Sequence, residues 1–261
     1  MIRTLLQPCL AISILPVSLL SGCGSRAVVR RDIQRTIELD GVEVAKLQVE
    51  SPNGSVRIVE DESTAELRVV GIASASGINE QEAIGRLEEF DLHITRVGPA
   101  AWRIEPSMPL LCRSHDDTSL SIVVPGLGDT RIDTGNGSIV IPSSHGSLDL
   151  RTGNGQVDVR SVRGATVART GNGRIMCGLD GLRGGGMVEL RIGNGDISLE
   201  LPSARLGTLA ATTGHGGIER RDGAGELVQR ARCRSMSIVG EGETPIVLET
   251  GNGSIQVQET R

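Results

Sequence analysis

Thr134-Gly135-Asn136-Gly137, Thr152-Gly153-Asn154-Gly155 and Thr170-Gly171-Asn172-Gly173 are three copies of one tetrapeptide. Ile192-Gly193-Asn194-Gly195 is a near-copy, Thr213-Gly214-His215-Gly216 a weaker one, and Thr250-Gly251-Asn252-Gly253 restores the motif. The asparagines step by 18, 18 and 22 residues; His215 follows 21 after Asn194, and Asn252 37 after that, which reads as two periods. A degraded copy at Ser235-Met236-Ser237-Ile238 fills the double gap. Self-similarity at a short period signals a repeat architecture.

Working outward from the tetrapeptide, a period-2 strand follows each copy. Its first apolar position is Ile139, Val157, Ile175, Ile197, Ile218, Ile238 and Ile255. Two residues on stand Ile141, Val159, Cys177, Leu199 and Val257, and the strands before the motif supply Ile132, Leu150, Ala168, Leu190, Ala211 and Leu248. The threonines form a further inward column, with Ile192 as an exception. Alternation makes one face of each strand apolar, and no single coil can bury that face alone, so stacked coils must share a core. The pattern predicts an all-β, right-handed parallel β-solenoid over 131–261, the handedness coming from the rule for parallel crossovers.

The motif suits a corner. Glycine adopts φ > 0 without steric cost, and asparagine tolerates the left-handed region. Coils about 4.8 Å apart would let Asn136, Asn154, Asn172, Asn194 and Asn252, with His215 as a substitute, stack as a ladder of side chains. In that order Asn252 stands at the open end. A phosphate cradle would need a following Lys-Ser/Thr and a helix start, and a calcium roll needs G-G-x-G-x-D; neither pattern is present.

The chain before the repeats reads differently. Arg3 and the apolar run Leu5–Leu20, broken by Pro8 and Pro16, are too short for a membrane span and form a targeting segment over 1–22. Leu20-Ser21-Gly22-Cys23 resembles the lipobox of bacterial lipoproteins, which implies a lipid on Cys23 and a membrane anchor. Residues 23–40 are polar and are expected to be a tether. Residues 41–130 are expected to hold an initiating coil, because Ser51-Pro52-Asn53-Gly54 matches the corner, and an α/β cap. Within the cap, Asn79-Glu80-Gln81-Glu82 resembles a capping box opening a helix to about Phe90, with strands near 67–70, 92–97, 102–105 and 119–124.

Leu120-Ser121-Ile122-Val123-Val124-Pro125-Gly126 followed by Asp133-Thr134-Gly135-Asn136-Gly137-Ser138-Ile139 resembles the bacterial "putative adhesin" domain of unknown function, also called the toastrack domain. The likeness covers about residues 42–261. It implies a β-helical extracytoplasmic module, often part of envelope-stress systems, with no agreed ligand or enzymatic activity. This chain carries a lipobox in place of the transmembrane helices of many members.

Little in the sequence carries catalytic chemistry. A formal net charge of −5 gives no electrostatic footprint for nucleic acid. With one Phe, one Trp and no Tyr, aromatic platforms for sugars or bases are scarce. Beyond the targeting segment, which holds Cys9, and besides Cys23, the cysteines Cys112, Cys177 and Cys233 are odd in number and lack zinc spacing; Cys177 falls in an apolar column. His115-Asp116-Asp117 reads as a solvated loop rather than a metal site, and Ser143-Ser144-His145, for which the sequence places no acid partner, as a polar turn. No cofactor motif occurs. The outward position before each corner threonine reads Asp133, Arg151, Arg169, Arg191, Thr212 and Glu249, so Arg151, Arg169 and Arg191 would lie side by side, either as a solvated face with Asp149 and Glu189 nearby to soften the repulsion or as a candidate anion-binding stripe. Two functions follow: a non-catalytic, lipid-anchored envelope module contacting a protein, polymer or lipid head group, or a polysaccharide lyase or hydrolase, favoured by fold analogy alone.

Overall fold

The structure, a computed structural model, describes residues 27–39, 44–109, 113, 116–181, 186–202, 206–231, 234–239 and 244–260. Cys23 and the targeting segment lie outside the described residues, as do Cys112, His115 and Cys233. In chain order the elements are β1 (Ala27–Glu38), β2 (Val44–Asn53), β3 (Val56–Glu60), β4 (Glu66–Gly77), α1 (Glu80–Leu87), β5 (Asp91–Gly98), β6 (Ala101–Ser107), β7 (Asp117–Val124), β8 (Leu127–Asn136) and β9 (Ile139–Ile141). There follow β10 (Leu148–Val162), β11 (Thr166–Leu179), β12 (Val188–Pro202), β13 (Leu206–His215), β14 (Ile218–Arg221), β15 (Leu227–Ala231), β16 (Ser235–Val239), β17 (Thr244–Asn252) and β18 (Ile255–Thr260). These strands form one open, mixed sheet, so the protein is nearly all-β but not purely parallel.

The middle of the sheet is parallel and in register with the repeat. Leu150 faces Ile132 and Ala168, Ala168 faces Leu190, and Asn172 lies between Asn154 and Asn194. The side chains that alternate inward, among them Ile132, Leu150, Leu190, Ile175, Ile197 and Leu199, are fully buried. Each such aliphatic side chain contributes about 1.5–3 kcal/mol on leaving water, which is why an 18-residue period with fixed apolar columns dictates stacking. Upstream, β2 joins the same array, with Val49 against Ile132 and Asn53 against Asn136.

Both ends of the array are antiparallel. At the start, β4 pairs with β1 and β7, and β5 with β6, while α1 packs against β4 and β1. The Asn79 side chain caps α1 by accepting from the Glu82 N–H at 2.8 Å; Glu82 reaches back to the Ile78 N–H at 2.6 Å, one residue before the cap. The helix stops at Leu87, short of Phe90. The stretch expected as a tether is β1, in the sheet from Ala27 to Glu38. Its inward face alternates Val29 and Ile33 with Arg31 and Arg35, and those arginines disguised the strand. Arg35 pairs with Asp91 at 2.8 Å, and Arg31 donates to the Phe90 carbonyl.

At the other end, the order of coils in space departs from their order in sequence. The coil of β17 and β18 lies between β12 and the coil of β13 and β14: Leu190 faces Leu248, which faces Ala211. The cause is legible in the side chains. Val257 continues the apolar column of Leu199, whereas the matching residue of β14 is Arg220, which pairs with Glu259. The half-buried Arg220 is matched by Glu259, itself buried on the enclosed coil, so the charge of β14 is held at the seam between the two coils. Ser235–Ile238 is not a further parallel coil either. After β14 the chain turns at Asp222–Glu226, with Gly225 at φ 82°, and β15 and β16 run back antiparallel along β14 and β13. Without a Gly-Asn-Gly corner, this segment has no means of stacking as the others do.

Candidate functional site

Every member of the corner tetrapeptide meets the neighbouring coil. At Gly173, φ is +143° and an added Cβ would lie 2.1 Å from the Gly155 carbonyl oxygen; at Gly171 it would lie 2.5 Å from that of Gly153. The first glycine is therefore required by contact alone, and the second by contact and backbone conformation together. Thr152, Thr170 and Thr250 each donate their hydroxyl to the carbonyl of the second glycine one coil below, at 2.9, 3.1 and 2.9 Å. Ile192 has no such donor.

The asparagine amides form one chain of hydrogen bonds. Asn136 donates to Asn53, Asn154 to Asn136, Asn172 to Asn154, Asn194 to Asn172, and Asn252 to Asn194, all at 2.7–2.8 Å. His215 closes the chain, its Nδ1 lying 3.0 Å from Asn252 Oδ1, a contact that needs the proton on Nδ1. Asn252 is thus interior to the chain and His215 is its end. A second glycine column escaped the sequence reading. Gly146 and Gly164 would place a Cβ 2.2 Å and 2.1 Å from the backbones of Gly128 and Gly146, at the same 18-residue step.

On the outer face, the row before the corner reads Asp133, Arg151, Arg169, Arg191, Glu249, Thr212 in space. Arg151, Arg169 and Arg191 do stand on consecutive coils, but not as bare like charges. Asp149 lies 3.2 Å from Arg151 and 3.6 Å from Arg131. Glu189, largely buried beneath the row, lies 2.6 Å from Arg169 and 3.0 Å from Arg191, and its hydrogen bond raises the pKa of Arg169. Glu249 lies 3.4 Å from Arg191.

Where the row passes the rearranged end, it opens into a cleft of about 570 Å³. Arg169, Arg191, Glu249 and Thr212 cross it, the corner glycines Gly193, Gly251 and Gly214 border it, and Arg234 stands at its end. Arg234 is held there by its carbonyl, which accepts from the Thr213 N–H at 2.8 Å. Its guanidinium is exposed and has no ion pair among the described residues. No repeat pattern marks Arg234; only the chain reversal into β16 brings it to this face.

Two other clusters have different roles. Ser143 donates to Glu60 at 3.0 Å, and His145 lies 3.4 Å from Glu60 on one side and 3.4 Å from Arg163 on the other. The serine addresses the acid rather than the imidazole, so no nucleophile–base relay is formed. Asp116 is buried and accepts from the N–H groups of Ser76 and Arg113 at 2.9 and 2.7 Å, with Arg86 as its ion pair. Its oxygens are occupied by these donors. Burial alone would raise its pKa, but the hydrogen bonds together hold it below the usual carboxylate range. Burial pushes the Cys177 thiol up to about 12, making it an inert core residue. Among the described residues no helix is long and apolar enough to cross a membrane.

No family model matches the chain, and no curated protein matches it. Solved structures do. A "putative cell adhesion protein" from Clostridium sporogenes is 16% identical with a TM-score of 0.51, covering 88% of this chain and 99% of its own. A "putative adhesin" from Bacteroides fragilis is 12% identical with a TM-score of 0.41, covering 87% and 97%. A "putative lipid binding protein" from Parabacteroides distasonis is 9% identical with a TM-score of 0.30. The likeness to the clostridial protein spans nearly the whole of both chains, and it is a likeness of fold.

Proposed function

We propose that this protein is a non-catalytic, adhesin-like module of the bacterial cell envelope. In this reading Cys23 carries the lipid that anchors it, and the parallel coils wind as a right-handed solenoid that displays a rigid outer face. The observation that carries the reading is a division of labour within each coil. The repeated residues, the glycines, threonines and asparagines, bond to neighbouring coils. The outward position beside them varies freely between acid, arginine and threonine. A scaffold that fixes its inside and varies its outside is suited to presenting a surface to a partner. Names of similar folds, adhesin and cell adhesion protein, agree with display at the surface.

The test is labelling with a fatty acid analogue in a bacterial host, followed by fractionation and protease shaving of intact cells. Wild type is expected to carry label, stay with the membrane and be shaved from outside. Cys23→Ala is expected to lose the label and leave the membrane, or to keep an uncleaved N-terminus. An unlabelled wild type found in the soluble fraction would reject the anchored module. Incubation of the purified protein with anionic polysaccharides tests the absence of catalysis; release of shortened products would favour the hydrolase or lyase reading instead.

A further inference from the structure

We propose that the cleft at the rearranged end is a binding site for a segment of an oxyanion-bearing polymer, with Arg234 as its anchoring charge. It deepens the display role proposed above, but its test uses the purified chain and stands whatever the anchoring experiment shows. Arg151 is matched by Asp149, and Arg169 and Arg191 share Glu189, whereas Arg234 lines the cleft with no carboxylate partner among the described residues. Counting Arg169, Arg191 and Arg234 against Glu249 and the Glu189 that the first two share, the described residues of the cleft carry one net positive charge in a protein whose formal net charge is −5.

Shape points the same way. The corner glycines that border the cleft cannot carry side chains, because a Cβ on Gly193 or Gly251 would lie 2.5 Å from the carbonyl oxygen of the coil below. The contact that holds the coils together therefore keeps this border low and open along the stack. Four coils at about 4.8 Å present groups over roughly 14 Å, the reach of a few polymer units rather than a single ion. Among the described residues of the lining, Ile192 is the only apolar side chain, and it is buried. Trp102 and Phe90 are buried in the N-terminal part, so recognition here relies on charge and hydrogen bonds rather than stacking. Guanidinium suits carboxylate and phosphate alike. Glu249, exposed beside Arg191, opposes such a ligand and tunes its affinity downward.

The probes are fluorescently labelled polygalacturonate and polyphosphate, with neutral dextran as control, titrated with the full chain at low and physiological salt. Wild type is expected to bind one or both polyanions in a salt-sensitive manner and to ignore dextran; which polyanion binds identifies the oxyanion. Arg234→Gln should weaken binding about tenfold, the scale of one charge-assisted hydrogen bond. Arg131→Gln, an equal loss of charge outside the cleft, should leave it unchanged. Glu249→Gln should strengthen binding severalfold, while Asp133→Asn, with the same change in net charge, should not. Thermal melts confirm that each variant is folded, and the opposite sign expected for Glu249→Gln keeps the test informative if Arg234→Gln is unstable. Failure of wild type to bind either polyanion, or equal effects of the paired variants inside and outside the cleft, overturns the site.

Discussion

The coils from β8 to β12 and the coils that follow them are built from the same tetrapeptide, yet they obey different rules. In the first group, sequence neighbours are spatial neighbours, and each coil lies on the one before it. In the second, the chain lays down an outer coil at β13 and β14, reverses through β15 and β16, and returns to fill the gap it left. The difference teaches that the motif specifies how a coil stacks, but not which coil it stacks on. That choice falls to the apolar columns, where Arg220 in one coil and Val257 in another decide which can be enclosed. It also makes the cleft, since the reversal delivers Arg234 to the outer face.

The largest effect should come from breaking a corner and comparing it with the hairpin. Gly173→Ala combines a positive φ with a 2.1 Å backbone clash, and we expect a loss of more than about 4 kcal/mol, read as failure to fold or a collapsed melting temperature. Gly225→Ala also has a positive φ, but an added Cβ meets nothing within 4 Å, and it should cost only about 1 kcal/mol. Similar losses at both would remove coil contact from the explanation of the motif.

Acid should separate the N-terminal end from the corners. Asp116 has its pKa lowered in the folded state, so the stability it contributes is fully present above the unfolded carboxylate range and is lost as pH falls through the lower folded value. Hydrogen exchange over residues 74–87 should therefore accelerate below about pH 4 while the corner amides of β10 and β11 stay protected. Arg86→Met, leaving Asp116 buried without its ion pair, should destabilise by about 3–5 kcal/mol at neutral pH. If the corner amides exchange first in acid, the ranking of the two regions is wrong.

Within the ladder the expected effects are smaller and ordered by position. Asn172 and Asn252 each donate one amide bond and accept another, so Asn172→Ala and Asn252→Ala should cost about 1–2 kcal/mol apiece. His215 makes a single contact at the end of the chain, and His215→Ala should lower the melting temperature least. An Asn252 variant as mild as the His215 variant would return Asn252 to the end of the stack.

The sequence disclosed most where one residue type served one purpose at a fixed interval. The inward columns, the corner glycines and the asparagine register follow from spacing, because a coil that must match its neighbour repeats its chemistry. It disclosed less where side chains serve two purposes. Arg31 and Arg35 lie on the inward face of β1 and made a strand resemble a polar tether. The glycines at 128, 146 and 164 keep the same interval but lack the flanking motif that draws attention to it. The arginine row was legible together with Asp149 and Glu189 beside it; what spacing does not set is the sharing of one largely buried carboxylate, Glu189, between Arg169 and Arg191. Arg234 left no trace, since its place depends on a reversal that no repeat encodes.

The order of the coils is the claim on which both the column argument and the cleft depend, and it can be read by paired cysteines on the exposed row. In parallel neighbours the Cα atoms lie about 4.8 Å apart, inside the range a disulfide accepts, whereas coils two apart are separated by about 9.6 Å. Arg191→Cys with Glu249→Cys should cross-link readily under mild oxidation, and Arg191→Cys with Thr212→Cys should not, as mapped by mass spectrometry of the digested protein. Efficient linkage of 191 to 212 and none of 191 to 249 would show that the coils stack in sequence order and would contradict the account.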